Sequence, residues 1–90
     1  MFNARYKNLR IAVSDSAMRE LIKESMTLYD VAEILENGRD APRKRKSGTI
    51  EKWSNKGKKT YNAVIALNYD EFMKEDVWLL IHLGKFTRRD

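Results

Sequence analysis

Residues 59–83 read KTYNAVIALNYDEFMKEDVWLLIHL, two strand patterns joined by an acidic connection. In the first, Tyr61, Ala63, Ile65, Leu67 and Tyr69 share one face and Asn62, Val64, Ala66 and Asn68 the other, the period of two that a strand imposes. The second, Val77 to Leu83, is apolar everywhere except His82, which predicts a strand covered on both faces. Together they predict the centre of an antiparallel sheet. The connection from Asp70 to Asp76 turns the chain back, with Phe72 or Met73 folded onto the core.

Working back towards the N-terminus, Asn55-Lys56-Gly57-Lys58 reads as the turn of a hairpin whose other strand lies in Thr49 to Trp53. Arg39 to Gly48, RDAPRKRKSG, is a loop by composition. Before it, Leu28, Val31, Ala32 and Leu35 follow helical spacing. Thr27 is a suitable N-cap, Asp30 completes a capping box, and Asn37-Gly38 supplies a left-handed stop. An earlier, shorter helix opens at Ser14-Asp15-Ser16 and ends near Glu24 or Ser25. Leu9, Ile11 and Val13 alternate as a first strand at or near a sheet edge. The order is β-α-α-β-β-β: an α+β domain with an antiparallel sheet and two helices packed on one face.

Ninety residues with this pattern predict one domain, residues 1–90, with one core. The absence of cysteine excludes a disulfide framework and thiolate metal sites, and a single histidine argues against zinc. The acidic residues of LYDVAEILEN fall on the solvated side of an amphipathic helix, so no metal or other cofactor is expected. No apolar run approaches a membrane span and no secretory signal opens the chain, so the expectation is a soluble cytoplasmic protein that does not contact membranes.

The net charge of +5 is segregated. Residues 39–60 carry +7, nine Lys and Arg against Asp40 and Glu51, whereas 14–38 and 61–84 are acidic. A positive surface of this kind points to nucleic acid. The candidate phosphate contacts are Arg43, Lys44, Arg45 and Lys46, whose four charges repel without a counter-charge, then Lys52 and Lys59. Trp53 and Tyr61 lie among these cations. They fit either the core, by alternation, or stacking on the bases of single-stranded RNA. His82 fits either a structural role or proton transfer at neutral pH, with Lys85, Arg88 or Arg89 stabilising charge on a nearby phosphate.

Ser16-Ala17, Leu21, Met26-Thr27-Leu28-Tyr29-Asp30-Val31 and Leu35-Glu36-Asn37-Gly38 resemble a family of short prokaryotic proteins. Its members read His-Ala-x-x-Arg-Met-x-Glu-Arg-Gly-Ile-Ser-x-x-Asp-Val, followed by a Leu-x-x-Gly helix end and three strands. That family is similar in layout to the RelE- and BrnT-type toxins, small basic ribonucleases neutralised by an antitoxin. The chain departs from the motif at Ser16, where the family has His, at Glu20 and Glu24, where it has Arg, and at Lys23, where it has Glu. The resemblance implies metal-independent RNA cleavage by attack of a 2′-hydroxyl on the adjacent phosphate. Arg88 and Arg89 would stabilise charge, Lys85 or His82 would transfer protons, and Tyr61 would make a stacking or hydroxyl contact. It also implies an antitoxin-like protein partner. The alternatives are a non-catalytic nucleic-acid-binding module and a protein-interaction domain whose basic loop meets an acidic partner. Whether a sheet edge pairs with a second copy as a homodimer is left open.

Overall fold

The computed structural model describes residues 4–43 and 45–87. The elements are β1 (Arg5–Tyr6), β2 (Leu9–Val13), α1 (Asp15–Lys23), α2 (Leu28–Asn37), β3 (Arg39–Asp40), β4 (Thr49–Lys56), β5 (Lys59–Asp70) and β6 (Glu75–Thr87). They form an α+β arrangement with one six-stranded sheet in the order β1-β2-β6-β5-β4-β3. The outermost strands are two residues each, which leaves little flat edge for another chain to extend.

The sheet is mixed, not antiparallel as expected. Residues Arg10 to Val13 of β2 run parallel to Val77 to Leu80 of β6, while every other neighbouring pair is antiparallel. Alternation shows which side chains face the core but carries no information about strand direction. The long stretch between β2 and β6 readily provides the crossover that a parallel pair requires.

The core lies between one sheet face and the helices. Ala17, Leu21, Leu28, Val31, Ile34 and Leu35 of the helices meet Ile11, Ala63, Ile65, Trp78, Leu80 and Leu83 of the strands. The even-numbered residues of β5 from Thr60 to Val64 occupy the opposite face, yet they are buried too. Ile65 pairs with Leu80 and Val64 with His82, so Ile81 is an extra residue in β6. Coverage of β6 on both faces therefore stops at this bulge, where Ile81 and His82 are exposed.

Helix ends follow local chemistry. Ser14 Oγ accepts from the Ala17 amide at the start of α1, and the Thr27–Asp30 capping box forms in full at the start of α2. At the end of α1, the Met26 and Ser25 amides donate to the Leu21 and Ile22 carbonyls, the paired bonds of a Schellman stop. The left-handed residue there is Ser25, at φ 55°. Relief of its left-handed strain, offset by the entropy of an added glycine, makes Ser25→Gly stabilising by about 0.5 kcal/mol. Thermal or urea unfolding would check this, and a loss of stability would show that the serine side chain contributes there.

Gly38 is not the left-handed stop that the sequence predicts. Its backbone is extended, at φ −78° and ψ 175°. A glycine is needed for another reason: a Cβ here would fall against the Ile34 carbonyl oxygen and 2.6 Å from that of Trp53. The missing side chain lets the end of α2 lie directly on the β4 backbone.

The β5–β6 connection also differs from expectation. The Asp70 carboxylate accepts from the Phe72 and Met73 amides, winding the turn tightly around itself. Both side chains are thrown outward, and Phe72 is 92% exposed. Arg10 of β2 fixes the base of this turn, donating from Nη2 to Asp70 at 2.6 Å and from Nε to Glu75 at 2.9 Å. These bonds hold the Asp70 carboxyl below its ordinary range, with the Met73 amide contributing most. Among the described residues, no helix is long and apolar enough to cross a membrane.

Candidate functional site

Two polar clusters stand out, one on the helix-free face of the sheet and one along the edge of β6 beside α1. The first is built on Glu51 of β4. Alternation puts Glu51 and Trp53 on the face away from the helices, beside Asn62 of β5. The Glu51 side chain is only 1% exposed. Its Oε1 accepts from Arg43 Nε and Arg45 Nε, each at 3.0 Å. Its Oε2 accepts from Arg43 Nη2 at 2.9 Å, Trp53 Nε1 at 2.9 Å and Asn62 Nδ2 at 3.2 Å. A buried carboxylate is costly unless its lone pairs are filled, and here five donors fill them. Led by the Arg43 bond, they hold the Glu51 carboxyl at about 2 against the opposing effect of burial.

The basic run is therefore not without a counter-charge, as its sequence implies. Arg43 and Arg45 close on Glu51, although their side chains remain 59% and 37% exposed. A recess of about 270 Å³ lies beside them, lined also by Asp40, Ala41, Thr49 and Ile50. Next to this cluster, Trp53 meets Phe86 of β6 edge to face, with ring centroids 5.0 Å apart. The Arg39 guanidinium lies over the indole, 5.9 Å from its centroid. Phe86 is 40% exposed and is the more open of the two rings.

The second cluster lies where β6 runs past the end of β2. Beyond Leu80 the outer edge of β6 has no strand beside it among the described residues, and α1 closes part of it: the Leu83 amide donates to Glu20 Oε1 at 2.8 Å. The same oxygen is 3.3 Å from His82 Nδ1. Three residues beyond His82, Lys85 Nζ pairs with Glu24 Oε1 at 2.8 Å, which raises the lysine pKa. Glu20 and Glu24 are thus the residues that meet His82 and Lys85.

The remaining candidates are dispersed. Lys52 points to the helix side, opposite Trp53, and pairs with Asp40 at 2.6 Å. Lys59 is exposed at the β4–β5 hairpin and donates to Thr87 Oγ1. Tyr61 packs against the core, as alternation predicts, opposite Lys85. Lys46 is exposed and has no acidic partner among the described residues. Lys44, Arg88 and Arg89 lie outside the described residues. No group of three or more potential metal ligands occurs among the described residues.

Sequence reasoning missed Glu51, Phe86 and Arg39. Glu51 carried a signal, since it is the sole acidic residue between Asp40 and Asp70 and falls inside an alternating strand. Phe86 and Arg39 join Trp53 only through the pairing of β6 and β3 with their neighbours, which no local pattern announces. No family model matches the chain, and searches of curated proteins and of solved structures find no similar protein.

Proposed function

We propose that the chain is a small basic domain that binds single-stranded RNA across the helix-free face of β4, β5 and β6. The observation that carries this reading is the Trp53–Phe86 pair, partly open to solvent and flanked by Arg39, Arg43 and Arg45. Unpaired bases stack on exposed rings while guanidiniums take the phosphates, and neither contact needs a particular sequence. Lys46 and Lys58, exposed and without acidic partners among the described residues, extend the positive surface.

The test is binding of a labelled, unstructured RNA at several salt concentrations. Log affinity is expected to fall against log salt with a slope of about −0.7 per phosphate contact. Phe86→Ala should weaken binding by about 1–3 kcal/mol, roughly 5- to 150-fold, without a comparable loss of stability. A response flat in salt would refute the reading.

A second reading, of a RelE/BrnT-like endoribonuclease with an antitoxin-like partner, is favoured by the Glu20–His82 contact beside Lys85. A carboxylate on one imidazole nitrogen orients the ring and leaves the other free to exchange a proton. Under this reading, RNA is cut without added metal and cleavage disappears in His82→Ala. Intact RNA after prolonged incubation of the wild-type protein would leave the binding module alone.

A further inference from the structure

Glu51 does more than neutralise two arginines. Arg43 and Trp53 share its Oε2, and Arg43 and Arg45 share its Oε1, so a cationic pair and an aromatic ring hang from the two oxygens of one buried carboxylate. Their spacing is consequently fixed without reference to any ligand. Each arginine turns its Nε and Nη2 towards Glu51, leaving Nη1 as the outer donor nitrogen of both guanidiniums. Two guanidiniums against one carboxylate leave a net charge of +1 at the recess. Asp40, the other acid lining it, is already paired with Lys52 at 2.6 Å. The volume of about 270 Å³ compares with about 30 Å³ for one water, so a phosphate group fits.

We infer that the Arg43–Arg45 recess and the Trp53–Phe86 platform form one nucleotide site, with the guanidiniums on a phosphate and a base against Phe86. Glu51 is the positioning residue that sets the distance between them. This rests on the single-strand reading above and adds to it a defined unit of recognition: one phosphate together with one base.

The test is titration with adenosine 5′-monophosphate, inorganic phosphate and adenosine, followed through the Nε–H signals of Arg43 and Arg45 and the indole N–H of Trp53. The monophosphate should move all three signals together and bind roughly tenfold or more tightly than phosphate or adenosine alone. Glu51→Asp keeps the charge but shortens the side chain by one carbon. It should reduce the preference for monophosphate over phosphate, a ratio that a purely structural role would not change. Arg43→Gln/Arg45→Gln should lower RNA affinity and reduce the steepness of its salt slope by about 0.7–1.4.

RNA binding that keeps its affinity and slope in the arginine double variant would overturn the inference while leaving the single-strand reading intact. So would a monophosphate preference unchanged in Glu51→Asp, or monophosphate that binds no better than phosphate. Failure of the wild-type protein to bind RNA at any salt would remove the reading and the inference together.

Discussion

Glu51→Ala is expected to lower stability at pH 7 by about 3 kcal/mol, the low end of what removing one partner from a buried ion pair costs. The low end applies because Arg43 and Arg45 are 59% and 37% exposed and regain water when the carboxylate is gone. The indole N–H of Trp53 and the amide of Asn62 are more deeply placed. Each would lose an acceptor, at about 1–3 kcal/mol for a group that stays buried. Urea unfolding of the two proteins at pH 7 measures the difference, and a change below about 0.5 kcal/mol would mean that the cluster contributes little to folding.

The same carboxylate sets a pH dependence. Its folded pKa is about 2, against 4.5 for the free side chain. The unfolded chain therefore binds the proton first as pH falls. The stabilisation is complete above about 4.5 and is lost as pH drops through about 2, for a total of about 3 kcal/mol. Glu51→Ala should flatten the acid limb of the stability curve between those values. It should not abolish it, because Asp70 is also held below its ordinary range.

Gly38→Ala is expected to cost about 2–3 kcal/mol and to lower Tm by roughly 10–20 °C. Backbone strain has no part in this, since φ −78° is open to any residue. The added methyl would meet two main-chain carbonyls, those of Ile34 and Trp53, which cannot swing aside as a side chain can. Either α2 loses its last turn or it lifts from β4. Thermal unfolding by circular dichroism would settle the size, and a shift of less than about 3 °C would show that the helix end yields without cost.

What could be read directly from the sequence was local. Thr27 and Asp30 are three residues apart and form the box that their types predict. Ser14 caps α1, and Tyr61, Ala63 and Ile65 face the core as their alternation requires. Gly38 was legible as a helix end but not as a close contact, because its reason lies on β4. Asp70 and the exposed Phe72 show the limit in the other direction. An apolar residue in a short connection looks like core until a carboxylate two residues earlier ties up the turn.

The candidate site was less legible because its pairings are long-range. Glu20 meets the Leu83 amide across 63 positions, and Arg43 finds its counter-charge on a strand rather than in its own loop. Charge counting placed a positive excess in residues 39–60 but could not divide it. Arg43 and Arg45 hold a carboxylate, Lys52 faces the other side, and Lys46 remains without an acidic partner among the described residues.

The parallel seam between β2 and β6 also dictates the order in which the fold can be assembled. Hairpins β4–β5 and β5–β6 join neighbours and can zip as soon as both strands exist. Residues 10–13 have to wait for residues 77–80, so β2, early in the order of elements, is among the last to find its place. Until then Ile11 and the apolar sides of both helices lack the sheet that covers them. Closure of this distant contact, rather than helix formation, should set the folding rate, and the chain is most open to aggregation until it forms.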